Sequence, residues 1–183
     1  MEERRYLSKK EMYHIPLEDF PFMVVSYGIG SAISAAIVVA RGGLYNHWMW
    51  LYRPKRLASQ GAMYEEVRLH EYLSAHSLKL WTNINWTPKQ KARIIGWIRK
   101  DLARPWYQRV YDFVGCTSQL GGKWTNWVQI PGWDYCSEGG NWDYLARIDK
   151  EYKLKRPTPA ERNQWLSDNY DRGYRCYGRY RPD

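Results

Sequence analysis

The sequence predicts a mainly α chain: one transmembrane helix, then short amphipathic helices, long Trp-rich loops and an extended C-terminal tail. Three observations carry this expectation. Residues 20–40, FPFMVVSYGIGSAISAAIVVA, hold no charged side chain; at about 1.5 Å of rise per residue the run is about 30 Å long, the thickness of a bilayer's hydrocarbon core. The aromatic content is skewed, with 11 Trp and 16 Tyr against 3 Phe. Trp and Tyr join an apolar body to a polar tip and suit half-wet places such as bilayer interfaces and protein contacts. The rest of the chain is cut by Pro and Gly into short periodic segments and long connections, more irregular than a self-contained domain usually needs.

On this reading residues 1–19 are a polar N-terminal arm and 20–41 the transmembrane helix. Residues 42–114 hold juxtamembrane and extramembrane helices, 115–141 a Gly/Trp-rich loop, 142–171 a helical segment and 172–183 a Tyr/Arg tail. The arm has five acidic and four basic residues, unlike the basic start of a signal peptide. Gly28, Ala32 and Ala36 recur every fourth residue, sharing one face on which a second helix can approach closely. Tyr45, Trp48, Trp50 and Tyr52 follow as interface anchors. Arg41, Arg53, Lys55 and Arg56 are candidate contacts for lipid headgroups, in particular a bound phospholipid such as cardiolipin. Four Lys/Arg lie close to each end of the span, so the positive-inside rule leaves orientation open.

Beyond the span, apolar residues at Val67, Leu69, Leu73, Leu78 and Leu80 among charged neighbours predict a helix over 62–81. Thr87-Pro88 opens a helix over 88–102, with Thr87 as cap and Pro88 at the first helical position. A short helix follows over 106–114. Another is expected over 142–155. Thr158-Pro159 with Glu161 completes a capping box for the last one, which fades near Tyr170. Trp133-Asp134-Tyr135 is echoed by Trp142-Asp143-Tyr144, too little for a repeat architecture. The tail, DRGYRCYGRYRPD, cannot bury a core of its own and is expected to lie along a partner.

No catalytic constellation stands out, so the chain reads as non-catalytic, without metal or other cofactor. His70 and His76 flank HEYLSAH, but six residues put their rings on different faces of a helix, whereas the zinc-protease motif needs four. Gly28-Ile29-Gly30 lacks the strand and third glycine of a nucleotide fingerprint. Asn85-Trp86-Thr87 matches a glycosylation sequon, which Thr87 as a cap explains better. His47, in YNHWMW, could meet a quinone or haem, yet a lone His among aromatics reads as an anchor. Cys116, Cys136 and Cys176 are too few for a disulfide framework; a Cys116–Cys136 bridge and free thiols both stay open. The formal net charge is +9, from 28 Lys+Arg and 19 Asp+Glu. Basic residues interleaved with aromatics would suit RNA, but no recognition motif is present, and nucleic acid is not the expected partner.

The layout of SYGIGSAISAAIVVARGGLYNHWMW, followed by the charged stretch around YEEVRLHEYL, resembles the single-span supernumerary subunits of mitochondrial respiratory complexes, and among them the GRIM-19-type accessory subunit of complex I. The similarity covers about a quarter of the chain; the Trp-rich region after Trp81 departs from it. The resemblance implies a single-pass protein of the mitochondrial inner membrane, with other membrane subunits and the lipid bilayer as partners and no small-molecule substrate. Its role would be structural or in assembly, in complex I or else in ATP synthase or cytochrome oxidase. The alternative of another class is a membrane-tethered RNA- or ribosome-binding protein.

Overall fold

The most apolar stretch of the chain begins as a strand. The computed structural model describes residues 5–27, 47–60, 63–109, 141–154 and 157–182, and Phe22–Tyr27 is its strand β1. It is joined by β2 (His47–Arg53), β3 (Arg56–Gln60), β4 (Tyr64–Arg68), β5 (Ser77–Asn83) and β6 (Tyr174–Tyr180). Among the described residues these six form one antiparallel sheet in the order β4-β3-β2-β1-β5-β6. Met23 of β1 stands opposite Trp50 of β2 on one side and Trp81 of β5 on the other.

This corrects the mainly α, single-span expectation. A strand with neighbours on both edges and cover on both faces needs apolar side chains at every position. It therefore reads as an unbroken apolar run, which periodicity alone does not separate from a buried or spanning helix. Among the described residues no helix is long and apolar enough to cross a membrane. The single-pass inner-membrane location, with the membrane and transmembrane roles attached to it, is therefore not supported. Gly28, Ala32, Ala36, Arg41 and Tyr45 lie outside the described residues.

The helices are α1 (Lys9–Tyr13), α2 (Leu69–Leu73), α3 (Pro88–Leu102), α4 (Asn141–Ile148) and α5 (Pro159–Asp168). The period-two alternation of strands divides the core into two layers. Met23, Val25, Trp48, Trp50, Tyr52 and Trp81 pack with Ile94 and Ile98 of α3, Tyr144 and Leu145 of α4, and Leu166 of α5. Phe22, Val24, Met49, Leu51, Leu57 and Leu80 pack on the opposite face with Leu69 and Leu73 of α2 and with Leu7, Met12, Ile15 and Phe20 of the N-terminal segment. The segment expected to be a helix over 62–81 is instead β4, α2 and β5, because Leu78 and Leu80 alternate with Lys79 and Trp81 at the strand period. The helix expected over 106–114 shows one 3-10 turn, Trp106–Gln108, before the described residues break off.

Both Thr-Pro starts form as their chemistry requires. Thr87 and Thr158 accept from the backbone N–H of Gln90 and Glu161, whose side chains return a bond to the cap's own N–H. Two orphan donors are satisfied at each helix start. The loop expected over 115–141, with Cys116 and Cys136, lies outside the described residues except for Asn141.

The C-terminal tail is also corrected. Residues 174–180 pair with β5 from Asn83↔Tyr174 to Leu78↔Tyr180. Its outer edge is covered by the N-terminal segment: the Leu7 N–H donates to the Arg179 carbonyl at 2.7 Å and the Arg179 N–H to the Arg5 carbonyl at 2.9 Å. Covering an edge in this way removes the row of unpaired backbone groups that would template aggregation. The fit is tight, since a Cβ at Gly178 would sit 2.6 Å from Leu7 Cγ. Gly178→Val is therefore expected to lower unfolding stability by about 1–3 kcal/mol in denaturant titration. A free tail would show no change.

Candidate active site

His47 opens β2, and its ring lies on the α2 side of the sheet. Strand alternation places it there with Met49 and Leu51, opposite to Trp48 and Trp50. Its Nε2 lies 2.7 Å from Ser59 Oγ on β3, and Ser59 Oγ lies 2.8 Å from the hydroxyl of Tyr72 on α2. The Tyr72 ring stacks parallel to the imidazole, with centroids 6.2 Å apart and planes 7° apart. His76 follows, its centroid 5.2 Å from Tyr72. Ser59 is buried, 1% exposed, while His47 is only partly covered. Among the described residues His47 Nδ1 has no hydrogen-bond partner.

Burial pushes the His47 imidazole down from 6.5 to about 4, with nearby His76 acting in the same direction. Burial lowers His76 as well. Taking the charged form out of water is the dominant cost, and the hydroxyl partner brings no negative charge to offset it. At neutral pH His47 is thus an uncharged imidazole. One nitrogen is tethered by a Ser–Tyr hydroxyl chain and the other has no hydrogen-bond partner among the described residues. Hydroxyls both donate and accept, so the chain can support either ring tautomer.

The residues singled out by sequence land elsewhere. Trp48, Trp50 and Tyr52 are buried in the sheet core. Tyr52 donates its hydroxyl to Glu66 of β4. Arg53 and Arg56 meet the same carboxylate, at 2.6 and 3.6 Å. Lys55 occupies the β2–β3 turn with its ammonium 5.6 Å from the Tyr13 ring centroid. The structure thus brings Arg53, Arg56 and Tyr52 together around Glu66. His70 is exposed and is not part of the His47–Tyr72–His76 ring cluster. Among the described residues no group of three or more His, Cys, Asp or Glu side chains could hold a metal. Cys176 on β6 packs on the α3–α5 face of the sheet and forms no disulfide.

The His47–Ser59–Tyr72 relay is not visible as a motif, because its members lie 12 and 13 residues apart in sequence. The available signal was the alternation in HWMWLYR, which marks a strand, and the Ser in RLASQ on the strand that follows.

No known protein family matches this chain, and no characterised protein is similar to it.

Because the folded chain holds His47 below its unfolded value, protonation opposes folding. This contribution to stability is complete above about pH 6.5 and is lost as the pH falls towards about 4. Urea unfolding across that range is expected to show a larger loss in the wild type than in His47→Gln, which cannot titrate. Equal losses would show that His47 is not held neutral by the fold.

Proposed function

We propose that the protein is a thiol-dependent hydrolase or acyl transferase in which His47 is the general base and acid. The observation that carries this reading is the half-open imidazole: Nε2 fixed through Ser59 to Tyr72, Nδ1 without a partner among the described residues. A base held in turn by a third group is the arrangement that activates a nucleophile. His47 is the catalytic residue; Ser59 and Tyr72 position it.

The nucleophile on this reading is a cysteine. Ser59 is within reach of the ring, but it is buried and shared with Tyr72, so it serves as the tether. A weakly basic imidazole takes a proton far more readily from a thiol, whose ordinary pKa is about 8.5, than from an alcohol. Once formed, the thiolate would stabilise the imidazolium and raise its pKa. Cys176 is unsuited. It lies three strands from β2, about 14 Å at about 4.8 Å per strand, and on the other face of the sheet. Cys116 and Cys136 remain as candidates.

The chemistry balances as acyl transfer. The thiol sulfur bonds to an ester or amide carbonyl carbon while His47 takes the thiol proton. His47 then protonates the leaving alcohol or amine as its bond to carbon breaks. Water or another acceptor, deprotonated by the same ring, then bonds to the thioester carbonyl carbon, and His47 returns the proton to the sulfur as the carbon–sulfur bond breaks.

A second reading, a protein that packs against partners without chemistry of its own, is favoured by the exposed pair Trp106 and Tyr107, 66% and 54% accessible. Alkylation with iodoacetamide near pH 6.5, followed by mass spectrometry, separates the two. The hydrolase reading expects Cys116 or Cys136 to react at least about tenfold faster than Cys176, and that advantage to vanish in His47→Ala and shrink in Ser59→Ala. Equal rates at the three thiols, or rates unchanged by His47→Ala, would exclude it.

A further inference from the structure

At the far end of β2 from His47 an open cavity of about 560 Å³ is lined by Tyr13, Pro54, Lys55, Arg56, Arg68 and His70. Its volume is in the range of small-ligand sites. None of the six lining residues is acidic. We infer that this cleft is a binding site for a phosphate-bearing anion, independent of the proposed hydrolase site.

Three features of the fold argue for it. Arg56 and Arg68 are direct cross-strand partners in the β3–β4 register. Like charges placed opposite each other destabilise a sheet unless something neutralises them. Arg56 is partly served by Glu66 at 3.6 Å, whereas no carboxylate among the described residues pairs with Arg68 or Lys55. Lys55 is a non-glycine residue at φ 61°, a left-handed conformation in which a Lys is strained and a Gly would not be. Strain of this kind clusters at ligand clamps, where the side chain has a use that glycine cannot supply. The Lys55 carbonyl also accepts the Leu69 N–H at 3.0 Å. That bond draws the β4–α2 junction, and with it Arg68 and His70, up to the turn that carries Lys55 and Arg56.

The cations therefore come from two chain segments tied by a backbone bond, around a cleft with an aromatic wall at Tyr13. Guanidinium groups bind phosphate oxygens through paired N–H donors, and an ammonium adds a point charge. A phosphate group attached to an apolar or planar body fits this lining. The same chemistry is offered by a soluble phosphate compound and by a lipid headgroup.

The full chain tests the assignment by calorimetric titration with inorganic pyrophosphate at about 50 mM salt, and by co-sedimentation with phosphatidylcholine vesicles carrying phosphatidylinositol phosphate. One-to-one pyrophosphate binding is expected, weakened about tenfold or more by Arg68→Gln and by Lys55→Gly, and untouched by Lys89→Gln on α3. Lys55→Gly also relieves the backbone strain, so its melting temperature should hold or rise while binding falls, which separates lost recognition from lost folding. Binding to the vesicles alone, with the same sensitivity, assigns the site to a headgroup; binding to pyrophosphate alone assigns it to a soluble ligand. No binding to either probe, or binding that Lys89→Gln weakens as much as the two cleft variants, overturns the inference.

Discussion

Strand β1 is the constraint on which the molecule depends. It is bonded to β2 and β5 on its two edges, and Phe22, Met23, Val24 and Val25 are fully buried on alternating faces. Every other layer takes its place from that strand. The α3–α5 layer packs over Met23 and Val25, and the α2 layer with the N-terminal segment packs over Phe22 and Val24. A polar residue at any of these positions would strand an unsatisfied group between two close-packed layers.

The preference for Tyr and Trp over Phe follows from how those layers are joined. Such a ring buries apolar surface and can still offer a polar tip to a distant element, as four of them do. Tyr144 of α4 donates to Asp101 of α3, and Tyr174 of β6 donates to Asp149 at 2.8 Å, a carboxylate that also meets Arg172. The Trp81 indole of β5 reaches Asn163 of α5 at 3.0 Å, and the Tyr180 hydroxyl reaches the Leu73 carbonyl at 2.9 Å. Burial raises Tyr144 and Tyr174 above the ordinary tyrosine range, so these hydroxyls stay protonated and act as donors. The His47–Ser59–Tyr72 relay uses the same vocabulary, except that it ends on a nitrogen with no partner among the described residues. Its partly covered position at the start of β2 distinguishes it from the ties inside the core.

What was legible in the sequence was local. The two Thr-Pro capping boxes need only four neighbouring residues, and both formed. The apolar run was visible, but its partners were not: Met23 pairs with Trp50 and Trp81, and nothing in residues 20–27 names them. The tail cannot bury a core by itself. It becomes a strand because β5 supplies hydrogen bonds about a hundred residues away in the chain. Lys55, Arg56 and Arg53 stood out by charge alone; that Arg53 and Arg56 share Glu66, while Arg56 faces Arg68, depends on the β3–β4 register. In sequence His47 stands among the aromatics of YNHWMW; Ser59 and Tyr72 join it only once the hairpin and α2 have folded.

The claim beneath all of this is that residues 22–27 are a central strand of the sheet, between β2 and β5. Nuclear Overhauser contacts between backbone protons give the most direct measurement. The fold predicts cross-strand contacts linking Met23 to Trp50 and to Trp81 in the detergent-free chain. Sequential contacts from each residue to those three and four positions on, without the cross-strand set, would make the segment a helix and contradict the account.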